Sequence, residues 1–180
     1  MKVITTEING LLIIQPKVFE DNRGYFYESY NESLFHQNGI DQHFVQDNQS
    51  LSHTGVLRGL HFQKPPYDQG KLVRIVKGAV LDVAVDIRKN SPTYGKHFSI
   101  ELTEENKTMF WVPSGFAHGF LTLRDNTIFS YKCTNFFNKE SEDCILWNDT
   151  SLGINWGIES PQLSEKDKTG KLFNEFETCF

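Results

Sequence analysis

The chain has 180 residues, of which 38% are hydrophobic and 13% aromatic, fifteen of them Phe; this suffices for one core and a single domain over 1–180. A formal net charge of −5 excludes a general basic field for nucleic acid or a membrane surface, so an anionic ligand must be met by local cations, among them only five arginines, Arg23, Arg58, Arg74, Arg88 and Arg124. Cys133, Cys144 and Cys179 are odd in number and lack metal-type spacing, and no stretch is apolar enough for a signal peptide or a membrane span, which together suggest a soluble cytoplasmic protein.

Taken in chain order, the pattern is one of short β-segments between turns. "LLIIQPKVF" (11–19) and "GYFYESY" (24–30) read as strands joined by "EDNRG". "NESLFHQNG" (31–39) reads as a short helix, with Asn31 as N-cap, Leu34 and Phe35 on one face and Gly39 as its stop. Strand-like runs follow at 43–52, 56–63, 71–78, 79–88, 96–102, 108–113, 117–123, 127–133 and 144–149. A second short helix is expected in "LSEKDKTGKLFNEF", within a peripheral segment at about 161–180. Roughly ten strands at even spacing with little helix imply an all-β antiparallel sandwich or barrel with short peripheral helices.

Alternation assigns directions to the side chains. In "AVLDVAVDIR" Leu81, Val83, Val85 and Ile87 share one face, while Asp82, Asp86 and Arg88 share the other. That strand reads as half buried, its aspartates solvated or paired rather than catalytic. In "KLVRIVKG" Lys71 shares a face with Val73 and Ile75, an unusual place for an ammonium. In "VLRGLHFQ" His61 has the parity of Leu57 and Gly59, and Arg58 the opposite one. The two enter one cavity only if the strand bulges, for which Gly59 is suited. His118 sits between glycines and aromatics in "VPSGFAHGF", and Tyr131 alternates with Phe129. Taken singly, each of these residues reads as structural. His61 and His118 make a poor metal site, because a Gln stands where a second near His would be needed and no Glu is nearby.

"FEDNRGYFYESY", "VQDNQS", "GVLRGLHFQKPPYDQGKLVRIVKG", "DVAVDIRKNSPTYG", "WVPSGFAHGF", "YKC", "ILWND" and "LSEKD" occur in an order and at spacings that resemble the dTDP-4-dehydrorhamnose 3,5-epimerases, from about Phe19 to Asp167. The resemblance implies a cupin-like antiparallel jelly roll, usually a homodimer. It implies a nucleoside-diphosphate 4-keto-6-deoxy sugar as substrate, inverted at C3 and C5 without metal, nicotinamide or other cofactor. Both carbons flank the ketone, so such an enzyme needs a base on one face, an acid on the other and a positive group at O4.

By that resemblance His61 is the base, Asp167 its partner, Lys71 the stabiliser of the oxyanion and Tyr131 the acid on the opposite face. His118 falls on a substrate contact near the ketone. Arg23, Glu28, Gln46, Asp47, Asn48 and Arg58 fall on positions that hold the base, sugar and diphosphate, Arg58 being suited to clamp phosphate oxygens. Glu142 and Lys166 fall on further substrate-binding positions, and Phe137 stands where relatives commonly carry a Tyr against the nucleotide. Within the resemblance, C3-only inversion and a GDP-linked hexose or heptose substrate stay open. Outside it, the rivals are a metal-dependent cupin and a non-catalytic sugar-binding jelly roll.

Overall fold

The computed structural model describes residues 1–180. Thirteen strands fall in chain order: β1 Lys2–Thr5, β2 Leu12–Gln15, β3 Phe19–Asp21, β4 Gly24–Phe26, β5 Gln46–Ser52, β6 Leu57–Gln63, β7 Lys71–Lys77, β8 Ala79–Asp86, β9 His97–Thr103, β10 Met109–Val112, β11 Phe116–Thr122, β12 Thr127–Cys133 and β13 Glu142–Cys144. Two helices, α1 Glu32–Gln37 and α2 Glu165–Lys168, are the expected peripheral ones, and a 3-10 turn covers Phe173–Glu175. Each helix starts where its cap dictates: the Asn31 side chain accepts from the Leu34 N–H and Ser164 from the Asp167 N–H. None is long and apolar enough to cross a membrane.

Two antiparallel sheets face one another, in the orders β1-β2-β10-β7-β12-β5 and β13-β6-β11-β8-β9. This is the antiparallel sandwich expected from the strand pattern and the jelly roll implied by the family resemblance. Between the sheets lies a core of Val73, Ile75, Val80, Ala84, Phe110, Phe120 and Phe129. The outer face of the five-stranded sheet is covered by Trp147, Leu152, Trp156 and Phe176, which pack on Leu57, Leu60, Val83 and Val85. Phe35 of α1 packs over Ile14, Leu72 and Trp111 on the outside of the six-stranded sheet. Chain segments thus cover both sheets, and strands such as β8 are buried on both faces.

Three expectations need correction. Asp82 and Asp86 are fully buried, so β8 is not half exposed: its polar face looks into the space between the sheets. The aspartates are paired, not solvated. Asp86 accepts from Arg88, Ser91 and Thr93, which hold its carboxyl down at about 2 even though burial acts to raise it. The strand expected at 144–149 is instead β13, Glu142–Cys144, continued by Ile145, which exchanges both backbone bonds with Leu60; beyond it Trp147 is buried by packing rather than by a sheet ladder. Lys2–Thr5 forms a strand on β2 that its short, mixed sequence did not announce.

Candidate active site

The site forms because β6 changes phase. Opposite β11, His61 pairs with His118 but Arg58 pairs with Phe120, so Gly59 and Leu60 together face the single residue Gly119. This is a bulge at the expected glycine. A Cβ on Gly59 would lie 2.5 Å from Gly119 Cα, and Gly59 holds φ at +144. Leu57, Leu60 and Phe62 therefore turn to the outer core while Arg58 and His61 turn inward together. His61 does not share the direction of Leu57, as strict alternation had implied.

A cavity of about 290 Å³ opens between the sheets, lined by Asn48, Arg58, His61, Lys71, His118 and Tyr131 with Phe120 and Phe129 at its wall. A second of about 270 Å³ adjoins it, sharing Asn48, His61, Lys71 and Tyr131 and adding Gln46, Gln63, Gln69, Phe137 and Glu142. The five-stranded sheet contributes His61 and His118; the six-stranded sheet contributes Lys71, Tyr131 and Asn48 from the facing wall. Phe120 and Phe129 stack across the gap at 4.1 Å.

His61 Nε2 lies 2.5 Å from Asp167 Oδ1, a contact between residues 106 positions apart. Ser164 donates to the other carboxylate oxygen at 2.7 Å. Asp167 is almost wholly buried, which by itself raises its pKa, yet the bonds from His61 and Ser164 prevail and hold it low, so it stays a carboxylate. A carboxylate only accepts, so Nε2 carries the proton and Nδ1 keeps its lone pair. Burial pushes His61 down, against the upward pull of Asp167, which keeps the imidazole neutral and basic near neutral pH.

Lys71 opens β7 and lines both cavities. Burial depresses its pKa, while Cys133, Asp82 and Glu142 favour the cation. Burial also raises Tyr131, to about 12, so its hydroxyl remains a proton donor through the neutral range. His118 Nε2 sits 2.8 Å from Asp82 Oδ1, and the second oxygen of Asp82 is buried without a partner. Asp82 thus belongs to the site behind His118, and its inward parity in β8 was the available signal.

The remaining sequence-named residues divide. Gln46 donates to Asn48 at 3.1 Å and accepts from the Phe137 N–H at 2.9 Å, tying three of them into one rim. Glu142 and Lys166 pair at 2.6 Å, Glu142 lining the second cavity. Asp47 points to the other side of β5, bonded to Lys132 at 2.9 Å, and lines neither cavity. Arg23 pairs with Asp21 and is 86% exposed on the β3–β4 hairpin; Glu28 bonds Asn31. Neither reaches the cleft of its own chain. Gln63, Gln69, Phe120 and Phe129 also line the cavities, although the sequence gives an amide or a Phe among apolar strand residues no chemical signal of its own. For metal, His61, Cys144 and Asp167 place donors within 4.8 Å of one another, but burial raises the Cys144 thiol to about 12, so it stays protonated and coordinates poorly.

A family profile described as dTDP-4-dehydrorhamnose 3,5-epimerase matches residues 5–175. The chain is 55% identical to the dTDP-4-dehydrorhamnose 3,5-epimerase of Shigella flexneri over 174 residues, 96% of each chain. It superposes on the crystal structure of the dTDP-4-dehydrorhamnose 3,5-epimerase from Elizabethkingia anophelis NUHP1 with a TM-score of 0.92, at 52% identity and 97% coverage of each chain. A third relative, a dTDP-6-deoxy-D-glucose-3,5-epimerase from Legionella pneumophila Philadelphia 1 solved with dTDP-4-keto-L-rhamnose, gives a TM-score of 0.94 at 48% identity, covering 98% of this chain and 94% of that one.

Proposed function

This chain belongs to the dTDP-4-dehydrorhamnose 3,5-epimerase family, and we propose that it inverts C3 and C5 of dTDP-4-dehydro-6-deoxy-D-glucose with His61 and Tyr131 as the opposed base and acid. One observation carries the reading: His61, seated on Asp167, faces Lys71 and Tyr131 across a single cleft. His61 Nδ1 takes the proton from the carbon beside the ketone, and the C–H electron pair moves into the C4–O4 system as an enolate. Lys71 meets the charge on O4, with His118 close by, in a cleft enclosed between the two sheets. The enolate collapses as Tyr131 delivers its proton to the other face, and the tyrosinate regains one from solvent. Asp167 holds the imidazolium until Nδ1 gives the abstracted proton to solvent, which restores the base. The same cycle at the second carbon completes the inversion, using only groups this chain supplies.

Arg58 holds the diphosphate, and Gln46, Asn48, Phe137, Glu142 and Lys166 hold the nucleotide and sugar along the second cavity. Arg23 and Glu28 act in this reading from a second copy, and Asp47 braces the strand of Gln46 and Asn48 through Lys132. A homodimer is supported by the exposed Phe19 (54%), Tyr25 (55%) and Phe26 (68%) on the hairpin that carries Arg23, an apolar group that a partner chain would cover. A cytoplasmic setting suits the three free thiols.

Proton NMR of dTDP-4-keto-6-deoxyglucose in D2O with catalytic enzyme tests the reading. Solvent deuterium entering both C3 and C5 with formation of the L-rhamno product is expected. Entry at C3 alone refutes the double inversion, and no entry at either carbon refutes the reading. Sedimentation at micromolar concentration is expected to give a dimer, and a monomer would refute the shared site.

A further inference from the structure

Away from the cleft, the turn between α1 and β5 gathers metal-type donors. Glu32 and His36 are four positions apart in α1 and share a face. The chain reverses at Gly39, with φ at +85, and returns His43 to the same spot. His43 Nδ1 lies 2.9 Å from Glu32 Oε1, and the rings of His36 and His43 meet edge to face with centroids 5.8 Å apart. One donor atom from each of the three lies within 4.8 Å of the other two. Asp41 Oδ1 adds a carboxylate 3.5 Å from His36 Nδ1. His36 Nε2 is shielded from solvent and has no hydrogen-bond partner, so this imidazole is incompletely satisfied in the fold as it stands.

A lone His beside a Glu on a surface is ordinary. Two imidazoles and a carboxylate from either side of a chain reversal, with a second carboxylate in reach, are a different matter. Two nitrogens and one oxygen make a zinc donor set, with the fourth position left for Asp41 or water. Zn–N and Zn–O bonds of about 2.0–2.2 Å place tetrahedral ligand atoms roughly 3.4 Å apart. Side-chain rotation of about an ångström closes the present spacing, and Glu32 and His43 are exposed enough to make it.

We propose that Glu32, His36 and His43 form a site for a divalent transition metal of the Zn2+ class, which fastens residues 38–45 to α1. Those residues form neither helix nor strand and lead directly into β5, whose Gln46 and Asn48 line the cleft. The metal acts on the shape of the cleft's approach, and the chemistry at His61 proceeds without it.

Calorimetric titration of the full chain with ZnCl2 tests this. About one Zn2+ per chain is expected. His43→Ala is expected to weaken binding by at least about 100-fold and Asp41→Asn by about tenfold. Cys144→Ser is expected to leave it unchanged, since the buried donors beside His61 are not the site. Amide exchange of residues 38–45 should slow when Zn2+ is added to wild type and not to His43→Ala. No binding at tens of micromolar Zn2+, equal binding by His43→Ala, loss of binding in Cys144→Ser, or unchanged exchange in the wild type would each overturn the proposal.

Discussion

Replacing Asp167 by Asn isolates the electrostatic part of the base. The substitution keeps the shape and removes one charge from a buried site 2.5 Å from His61 Nε2. What is lost is stabilisation of the imidazolium that exists only after proton abstraction. A hydrogen bond to a charged group contributes about 1.5–3 kcal/mol. The Coulomb attraction of unit charges about 4 Å apart at an effective dielectric of about 20 is roughly 4 kcal/mol, which sets an upper bound. At 1.36 kcal/mol per tenfold, a loss of about 2–4 kcal/mol lowers kcat by roughly 30- to 1,000-fold. An amide N–H turned toward Nε2 would also favour the wrong tautomer and push the effect to the upper end. The pH profile supplies the second readout. Burial already lowers the His61 pKa and Asp167 opposes it, so removing the carboxylate lowers it further. The acid limb of kcat/KM must therefore move to lower pH while the plateau falls, with dTDP affinity unchanged within a few-fold. A plateau within a few-fold of wild type, or a limb moving to higher pH, would refute the assignment.

Tyr131→Phe removes the donor on the facing wall and is expected to slow product formation by about 10²–10⁴-fold. Deuterium exchange into recovered substrate should then outpace inversion, measured by NMR in D2O. Equal loss of both would place the acid elsewhere. Asp86, held at about 2 against an ordinary 3.8, contributes stability that is present above about pH 4 and lost as pH falls toward 2, about 2 kcal/mol in all. Urea titrations of Asp86→Asn should show that deficit at pH 7 and converge with wild type near pH 2; a constant gap would sink the linkage. Gly119→Ala puts a Cβ 2.7 Å from the Arg58 carbonyl oxygen and 2.9 Å from Gly59 Cα, backbone atoms that cannot turn aside. It should destabilise by at least about 1–3 kcal/mol and weaken dTDP binding through Arg58. An unperturbed melting temperature with normal binding would show that the bulge tolerates the methyl group.

The sheets were legible where apolar runs stand between clear turn signals, as in β6, β7, β11 and β12. They were less so where burial comes from packing: Trp147 looks like a strand residue, yet it serves the outer core. The alternation in β8 was read correctly and its consequence was not. A polar face signals water only when nothing covers it, and here it lines the space between two sheets. Gly59 announced the bulge, because only a phase change brings Arg58 and His61 together. Asp167 could not be found by spacing, since its partner is 106 residues away; family resemblance supplied it. Arg23, Glu28 and Asp47 came from the same resemblance, and within one chain no local chemistry gathers them at the cleft.

That long-range pair makes catalysis report on how far the fold has been completed. Both sheets close with residues up to Glu142–Cys144, and the cleft's Lys71, His118 and Tyr131 are all in place by then. The carboxylate comes from outside both sheets, on the Ser164-capped helix that packs against β6. A chain in which α2 alone frays would keep Trp147, Leu152 and Trp156 over the sheet, and with them its walls and its grip on a diphosphate through Arg58, while its imidazole drifts out of tautomer. Damage at that end would yield a molecule that sequesters sugar nucleotide and releases it unchanged.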